Sequence, residues 1–298
     1  MAQNEDRGRC IKAGELAVVV GAGRSGKAAA RLLLRQGARV RLLESNPQAL
    51  DEAQAAALRA EGIELVLGEQ GPELFAGAKM VVPSPGLPVV RLREMMGPHA
   101  DAEGTEILAE MELAWRALDG EPVLAGTGTS GKTTTISMCA AMLEAQGLNV
   151  FLGGNIGTPL LDKAPEMTST DWAVLELSSF QLHSMNCRPD IAVVTNVSPN
   201  HLDIHPSYED YQTAKKQIFL SQGCAGVTVL NADNAITRAF AKDCPGKVRF
   251  FSRETAPENG VFLREGVIYR SHNGEKTKLM DAESILLPGL HNVENYMA

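Results

Sequence analysis

The segment Gly126-Thr-Gly-Thr-Ser-Gly-Lys-Thr133 constrains this chain more than any other. It meets G-x-x-x-x-G-K-[ST] at every fixed position, a pattern that works only as a loop between a strand and a helix. Its glycines let backbone N–H groups curl around phosphate oxygens. Lys132 brings a cation to the β/γ-phosphates, and the Thr133 hydroxyl suits Mg²⁺. The flanks comply. Residues 121–125 (Glu-Pro-Val-Leu-Ala) read as a short apolar strand. Residues 134–146 read as a helix with Ile136, Met138, Cys139, Met142 and Leu143 inward. The helix N-terminus adds its dipole to the phosphate site.

At 298 residues, with 44% hydrophobic and 21% charged content, the chain has room for two domains with sizeable cores. No apolar run approaches the roughly 20 residues that span a bilayer. The N-terminus lacks the layout of a secretion signal. Five cysteines, odd in number and without a C-x-x-C pair, argue for a reducing cytoplasm and against a disulfide frame or structural zinc. A net charge of −8 argues against nucleic acid as a partner. Polyanionic ligands would have to be held by local glycine loops and a metal.

The order of elements predicts an α/β protein in two blocks. Strands at 16–20, 38–44, 63–67 and 79–82 alternate with helices at 27–36 and 49–61, which reads as a small Rossmann-like parallel sheet. A helix at 106–118 carries the first boundary, near Ala109. The second block starts with the phosphate-loop strand and continues with strands at 150–152, 172–177, 191–196 and 227–231 and a helix at 208–221. Short strands at 249–252, 260–263, 267–270 and 277–280 follow at hairpin spacing. Asn259-Gly and Asn273-Gly are their turn signals, and together they predict a small antiparallel annex. The run from Leu287 to Ala298 begins a helix and stops within about two turns. The resulting division is 1–109, a P-loop-type domain at 110–288, and the start of a hinge at 289–298. A further domain of roughly 100–150 residues is expected beyond Ala298.

Several constellations carry chemistry. Gly21-Ala-Gly-Arg-Ser-Gly26 is G-x-G-x-x-G between a strand and a helix, and Glu44 ends the next strand as a ribose-binding acid would. Read alone, this says NAD; the glycines equally suit any phosphate-bearing ligand. Glu176 ends an apolar strand beside the phosphate loop, a position suited to Mg²⁺. His201, Asp203 and His205 alternate in an extended segment, a spacing that would let all three converge on a metal. A single histidine ligand is the more modest reading, with His205, before Pro206, a loop residue. Lys215 and Lys216 sit on one helix. Spacing of three and four puts Lys215 with Tyr211, Ile218 and Phe219 facing inward, and Lys216 in solvent. Gly153-Gly-Asn-Ile-Gly157 is another loop at the same sheet edge, with Asn155 as a donor.

Taken together, these motifs resemble the Mur ligases, the ATP-dependent amino-acid-adding enzymes of peptidoglycan synthesis. The resemblance runs from Leu16 to the last residue. It is carried by Gly128 to Thr133, Gly153 to Gly157, Glu176-Leu-Ser-Ser-Phe-Gln-Leu182, Asn196-Val-Ser-Pro-Asn-His-Leu-Asp203, Ala214-Lys215 and Gly289-Leu-His-Asn292. The run from Glu176 to Leu182 favours the D-glutamate-adding branch. The resemblance implies that the first domain holds a UDP substrate and not NAD. Arg24 and Ser25 would contact the diphosphate or uracil, Glu44, Ser45 and Asn46 would cradle the uridine, and Ser84, Pro85 and Gly86 would add a further contact. Gly128, Thr129, Ser130, Gly131, Lys132, Thr133 and Thr134 would hold ATP phosphates, with Asn292 and Asn295 on the adenine side. Thr133, Glu176, His201 and a carbamylated Lys215 would serve two Mg²⁺ ions. Asn155, Ser178 and His201 would lie near the muramoyl-alanine end. The family often has Asp where Glu44 stands. It also commonly reads Ala-Lys-x-Arg-Ile, where this chain has Ala214-Lys-Lys-Gln-Ile218.

The implied chemistry is carboxylate activation, with Lys132, Glu176, His201 and Lys215 as the catalytic set. ATP phosphorylates the terminal carboxylate of UDP-N-acetylmuramoyl-L-alanine, and D-glutamate attacks the acyl phosphate. A cytoplasmic monomer is expected, with no membrane partner. The chain alone is expected to bind the UDP substrate, to bind ATP weakly and to show no D-glutamate-dependent turnover. A sibling Mur ligase or a folylpolyglutamate synthase-like ligase shares the phosphate loop. A dehydrogenase fused to a nucleotide-binding module would leave the second block unexplained.

Overall fold

Leu-Ala-Val-Val-Val forms β1 (Leu16–Val20), which is apolar and buried along its whole length, as a central parallel strand covered on both faces must be. In the computed structural model, residues 10–84, 87–101 and 104–298 are described. The expected contacts of Pro85 and Gly86 therefore lie outside the described residues. After β1 come α1 (Arg24–Arg35), β2 (Arg39–Glu44), α2 (Glu52–Ala60), β3 (Glu64–Leu67), β4 (Ala78–Pro83), α3 (Val89–Met96), β5 (Glu106–Ile107) and α4 (Glu110–Arg116). Helix α1 buries its alanines with Leu32 and Leu33. A reciprocal cap starts α2, in which the Asp51 side chain accepts from the Gln54 amide and Gln54 returns a bond to the Asp51 amide.

These strands pair in parallel in the order β3-β2-β1-β4-β5. The chain leaves β1 for β2 on one side and later returns to β4 on the other. The carboxyl end of β1 is thus a switch point, where departing loops open a crevice. Below it, Val18, Leu43, Val81, Leu92 and Met96 form a core. Each such side chain contributes about 1.5–3 kcal/mol relative to exposure. The helix expected at 106–118 is instead the two-residue strand β5 followed by α4. Glu106 and Ile107 pair with Met80 and Val81, and so short a strand leaves no alternation to read. Helix α3 has no counterpart in the sequence reading.

The second unit begins with β6 (Val123–Thr127), α5 (Lys132–Ala145) and β7 (Val150–Gly154). The segment 159–167, with α6 (Leu160–Lys163), belongs to the first compact unit. The second unit comprises 120–158 and 168–298. It continues with β8 (Trp172–Glu176), α7 (Ser179–His183), β9 (Ile191–Val194), α8 (Tyr208–Leu220), β10 (Val227–Asn231), α9 (Ala235–Phe240), β11 (Lys247–Ser252), β12 (Gly260–Arg264), β13 (Val267–His272), β14 (Glu275–Asp281) and α10 (Leu290–Met297).

One sheet orders these strands β14-β13-β12-β11-β10-β9-β6-β8-β7. It is parallel from β7 through β12, and only β12-β13-β14 run antiparallel. The annex is therefore an antiparallel extension of the parallel sheet. Asn273-Gly274 makes its predicted turn, with φ of 50° and 84°. Asn259-Gly260 does not, because β11 and β12 are parallel and need a longer connection. The second tight turn is Glu265-Gly266, with φ of 50° and 75°, between β12 and β13. Helix α5 buries Ile136 and Ala140 but leaves Met142 half in solvent, against expectation.

Candidate functional site

Strand β6 lies between β8 and β9, so the loop at its carboxyl end emerges at the switch point of the second sheet. Gly126 is in register with Glu176 of β8, and Glu176 with Gly154 of β7. This places the phosphate loop, Glu176 and the 153–157 loop at one sheet edge. Gly128 and Gly131 have φ of 154° and 81°, and added Cβ atoms would overlap Thr195 Oγ1 and Asn295 Oδ1 respectively. Those two glycines give the loop both its shape and its close neighbours.

The loop is braced from the segment after β9. The Asn196 carbonyl accepts from the Thr129 amide at 2.9 Å. Its side chain bonds both the Ser130 amide and the Ser130 carbonyl, each at 3.0 Å. Thr195 Oγ1 donates to the same carbonyl at 2.6 Å, and Thr129 Oγ1 lies 3.1 Å from the Tyr211 hydroxyl. The loop is thus held in shape by protein partners, which lowers the ordering cost of binding. Sequence reasoning did not assign Asn196 this bracing role. Side-chain bonds across 66 residues leave no periodic trace.

Glu176 is buried, with 2% of its surface exposed. Its carboxylate accepts from the Thr133 hydroxyl at 2.6 Å and from Asn155 Nδ2 at 3.0 Å, both uncharged donors. Lys132 Nζ donates to the Thr129 carbonyl at 3.3 Å, and Thr134 lies in the first turn of α5. Hard oxygen donors from Thr133 and Glu176 at the mouth of a phosphate loop fit a divalent cation of the Mg²⁺ type.

Lys215 is buried on α8, as the helical spacing predicts. Its Nζ donates to the Gly128 carbonyl at 2.8 Å and lies 4.6 Å from the centre of the Tyr211 ring. Burial, and secondarily the Lys132 charge, lowers its pKa from 10.5 to about 7. Lys216 is half-buried and pairs with Asp243 at 2.6 Å, so it is not the free solvent lysine expected. His201 is exposed with φ of 53°, edge-on to Phe180 at 5.2 Å and tilted against Tyr211 at 6.4 Å. His201, Asp203 and His205 do not converge. Among the described residues, His205 gathers with His183 and Asp210 instead. His205 does lie in a loop, but it is buried there.

Ser178 caps α7: its Oγ accepts from the Gln181 amide at 3.2 Å and donates to Gln181 Oε1 at 3.0 Å. Asn295 lies against Gly131, 3.4 Å from Thr135 Oγ1 and 3.1 Å from Asn292. Asn292 is half-buried and donates to the Pro288 carbonyl. The two asparagines therefore stand at the start of α5.

In the first unit, a crevice of about 870 Å³ opens at the carboxyl end of β1, lined by Gly21, Glu44, Ser45, Gln70, Ser84 and Arg91 among others. Glu44 accepts from the Ala22 amide and the Asn46 amide, each at 2.9 Å. Both carboxylate oxygens thus tie neighbouring loops together, and Glu44 braces the crevice that it also lines. Asn46 Oδ1 accepts from Gln48, Ser25 is half-buried, and Arg24 is exposed and pairs with Asp162 at 3.4 Å. The sequence reading missed Arg91 because it missed α3.

Residues 127–298 match the Mur ligase middle domain, and residues 15–109 the Mur ligase MurD-like N-terminal domain. The UDP-N-acetylmuramoylalanine–D-glutamate ligase of Desulfovibrio desulfuricans is 54% identical over 77% of this chain and 53% of its own length. That of Koribacter versatilis is 39% identical over 96% of this chain and 62% of its own. The chain thus spans about half to three-fifths of the length of these curated relatives. The UDP-N-acetylmuramate:L-alanyl-γ-D-glutamyl-meso-diaminopimelate ligase of Neisseria meningitides superposes with a TM-score of 0.59 at 22% identity, covering 96% of this chain and 91% of that one. The murein peptide ligase of Psychrobacter arcticus gives 0.52 at 17% identity over 95% and 64%. At those identities the structures establish the fold alone. With the middle-domain match covering more than half the residues and the phosphate loop built as described, the chain belongs to the Mur ligase family.

Proposed function

We propose that this chain carries the uridine-nucleotide and ATP sites of a UDP-N-acetylmuramoylalanine–D-glutamate ligase, acting as a monomer in the cytoplasm. The observation that carries the reading is the 2.6 Å contact between the Thr133 hydroxyl and Glu176 at the mouth of a braced phosphate loop. The identity of 39–54% to ligases of that name narrows the amino acid to D-glutamate.

In this reaction a carboxylate oxygen of UDP-N-acetylmuramoyl-L-alanine attacks the γ-phosphorus of ATP, and the bond to ADP breaks. The D-glutamate amine then attacks the acyl carbon, and phosphate leaves. Two anions must approach one another, so catalysis is chiefly charge neutralisation and positioning. Lys132 and the amides of residues 131–133, at the start of α5 and not engaged by Asn196, take up phosphate charge. Thr133 and Glu176 would hold Mg²⁺, which when bound neutralises phosphate charge further. Asn155 keeps the Glu176 carboxylate in place. A neutral Lys215 amine is competent to capture CO₂, and the resulting anionic carbamate, with His201, would support a second Mg²⁺. The β1 crevice would take the uridine and its diphosphate, with Ser84 and the Glu44–Asn46 segment at its wall.

Calorimetry on the 298-residue chain tests the assignment. UDP-N-acetylmuramoyl-L-alanine is expected to bind saturably and more tightly than UDP-N-acetylmuramate or its L-alanyl-D-glutamyl derivative, and NAD not to bind. Preference for either of the other two muramates would assign the chain to a sibling ligase. Binding of NAD alone would refute the reading.

A further inference from the structure

Across the Tyr211 ring from the phosphate loop, one set of ligand-bearing side chains converges on no assigned role. His183 ends α7, His205 precedes α8, and Asp210 lies in the first turn of α8. Their donor atoms all lie within 4.8 Å of one another. Asp210 offers one oxygen to each histidine: Oδ2 is 2.7 Å from His205 Nδ1, and Oδ1 is 3.2 Å from His183 Nε2.

His205 is held as a metal-binding histidine must be. It is 4% exposed, stacked on Phe180 with centroids 5.2 Å apart and 10° between planes, and set edge-on to Tyr211 at 5.2 Å. Its Nδ1 therefore points in one direction. Its Nε2 lies 3.0 Å from the hydroxyl of buried Ser179. When an ion displaces the proton that Nδ1 shares with Asp210, a proton on Nε2 donated to that hydroxyl fixes the ligating tautomer, as outer-shell partners do for metal-binding histidines. His183 is exposed, which gives an ion a way in and leaves a position for water.

Two imidazole nitrogens and one carboxylate oxygen are a donor set for Zn²⁺ and similar borderline cations, whereas Mg²⁺ takes oxygens. Bonds of about 2.1 Å in a tetrahedron separate ligand atoms by about 3.4 Å. The two hydrogen-bonded separations, 2.7 and 3.2 Å, are shorter than that and the third is no more than 4.8 Å, so an outward movement of about 0.7 Å between Asp210 and His205 admits an ion in place of the shared protons.

We propose that His183, His205 and Asp210 form a Zn²⁺-class site with one water, distinct from the Thr133–Glu176 site. Because the His205 amide also donates to the His201 carbonyl at 2.9 Å, occupancy would hold the segment that carries His201.

The test is titration of the purified chain with Zn²⁺ in excess Mg²⁺ and without nucleotide, alongside Co²⁺ as a visible-absorption probe. One equivalent of Zn²⁺ should bind, and Co²⁺ should show tetrahedral d–d bands without the near-ultraviolet charge-transfer band of a thiolate ligand. His183→Ala, at an exposed position, should weaken binding at least about tenfold, and Ser179→Ala by about 10–100-fold. Asp210→Asn is the second ligand variant, with circular dichroism confirming that each variant is folded. Absence of Zn²⁺ binding, a thiolate band, or wild-type affinity in folded His183→Ala and Asp210→Asn would each overturn the proposal.

Discussion

Lys215 Nζ donates to the Gly128 carbonyl at 2.8 Å, so a nearly dry amine on α8 is tied directly to the phosphate loop. Burial, more than the neighbouring Lys132 charge, brings its pKa to about 7. The folded value lies below the unfolded 10.5, so the unfolded chain holds the extra proton between about pH 7 and 10.5. The Lys215 contribution to stability therefore rises with pH across that window and is flat below it. Lys215→Met should remove this slope, read as denaturant midpoints of both proteins at several pH values. Parallel midpoints would show that the amine is not buried as described. Under ¹³C-bicarbonate at about pH 8, the wild type should also show a carbamate carbon signal that the variant lacks.

Glu176 accepts from Thr133 and Asn155, and glutamine preserves the shape while removing the charge. Glu176→Gln should stay folded yet lose at least about tenfold, or ~1.4 kcal/mol, of the affinity that Mg²⁺ adds to ATP binding. Calorimetry of ATP with and without Mg²⁺ measures it. An unchanged Mg²⁺ increment would remove Glu176 from the metal site.

Gly131 has φ of 81° and faces the Asn295 side chain. Gly131→Ala places a Cβ both in the left-handed region and against Asn295 Oδ1. A loss of about 1–2 kcal/mol from the backbone alone is expected, with weaker ATP binding in addition. Thermal unfolding and nucleotide titration read the two effects separately; a variant matching the wild type in both would show that the loop relaxes freely.

Glu44 bonds the amides of Ala22 and Asn46, which makes it a brace for both walls of the β1 crevice. Glu44→Ala should cost about 1.5–3 kcal/mol, the range for hydrogen bonds to a charged group, and should weaken the uridine nucleotide by way of loop disorder. Chemical denaturation and UDP titration check this. Loss of UDP binding with stability intact would make Glu44 a direct ligand contact instead.

Much of this architecture was legible because its signals are local. Apolar runs such as Leu16–Val20 and Trp172–Glu176 mark buried parallel strands, and glycine placement marks both phosphate-type loops. Three-and-four spacing put Lys215 inward correctly. The elements that escaped are short ones of two to eight residues. Strand β5 is too short for a period, α3 follows Pro88 with no side-chain cap, and α7 carries only a single turn beyond its Ser178–Gln181 box. The Asn259-Gly turn failed for a different reason: the dipeptide is a hairpin signal only where the flanking strands are antiparallel.

By itself, the order of residues determined that two glycine loops would each follow an apolar strand and open a helix, because those constraints act between neighbours along the chain. Sheet order decided the rest. Only the insertion of β6 between β8 and β9 brings Glu176 and Asn196 to the phosphate loop, and only the packing of α7 against α8 gathers His183, His205 and Asp210. Contacts made across tens of residues depend on which strands and helices become neighbours, and no local pattern encodes that.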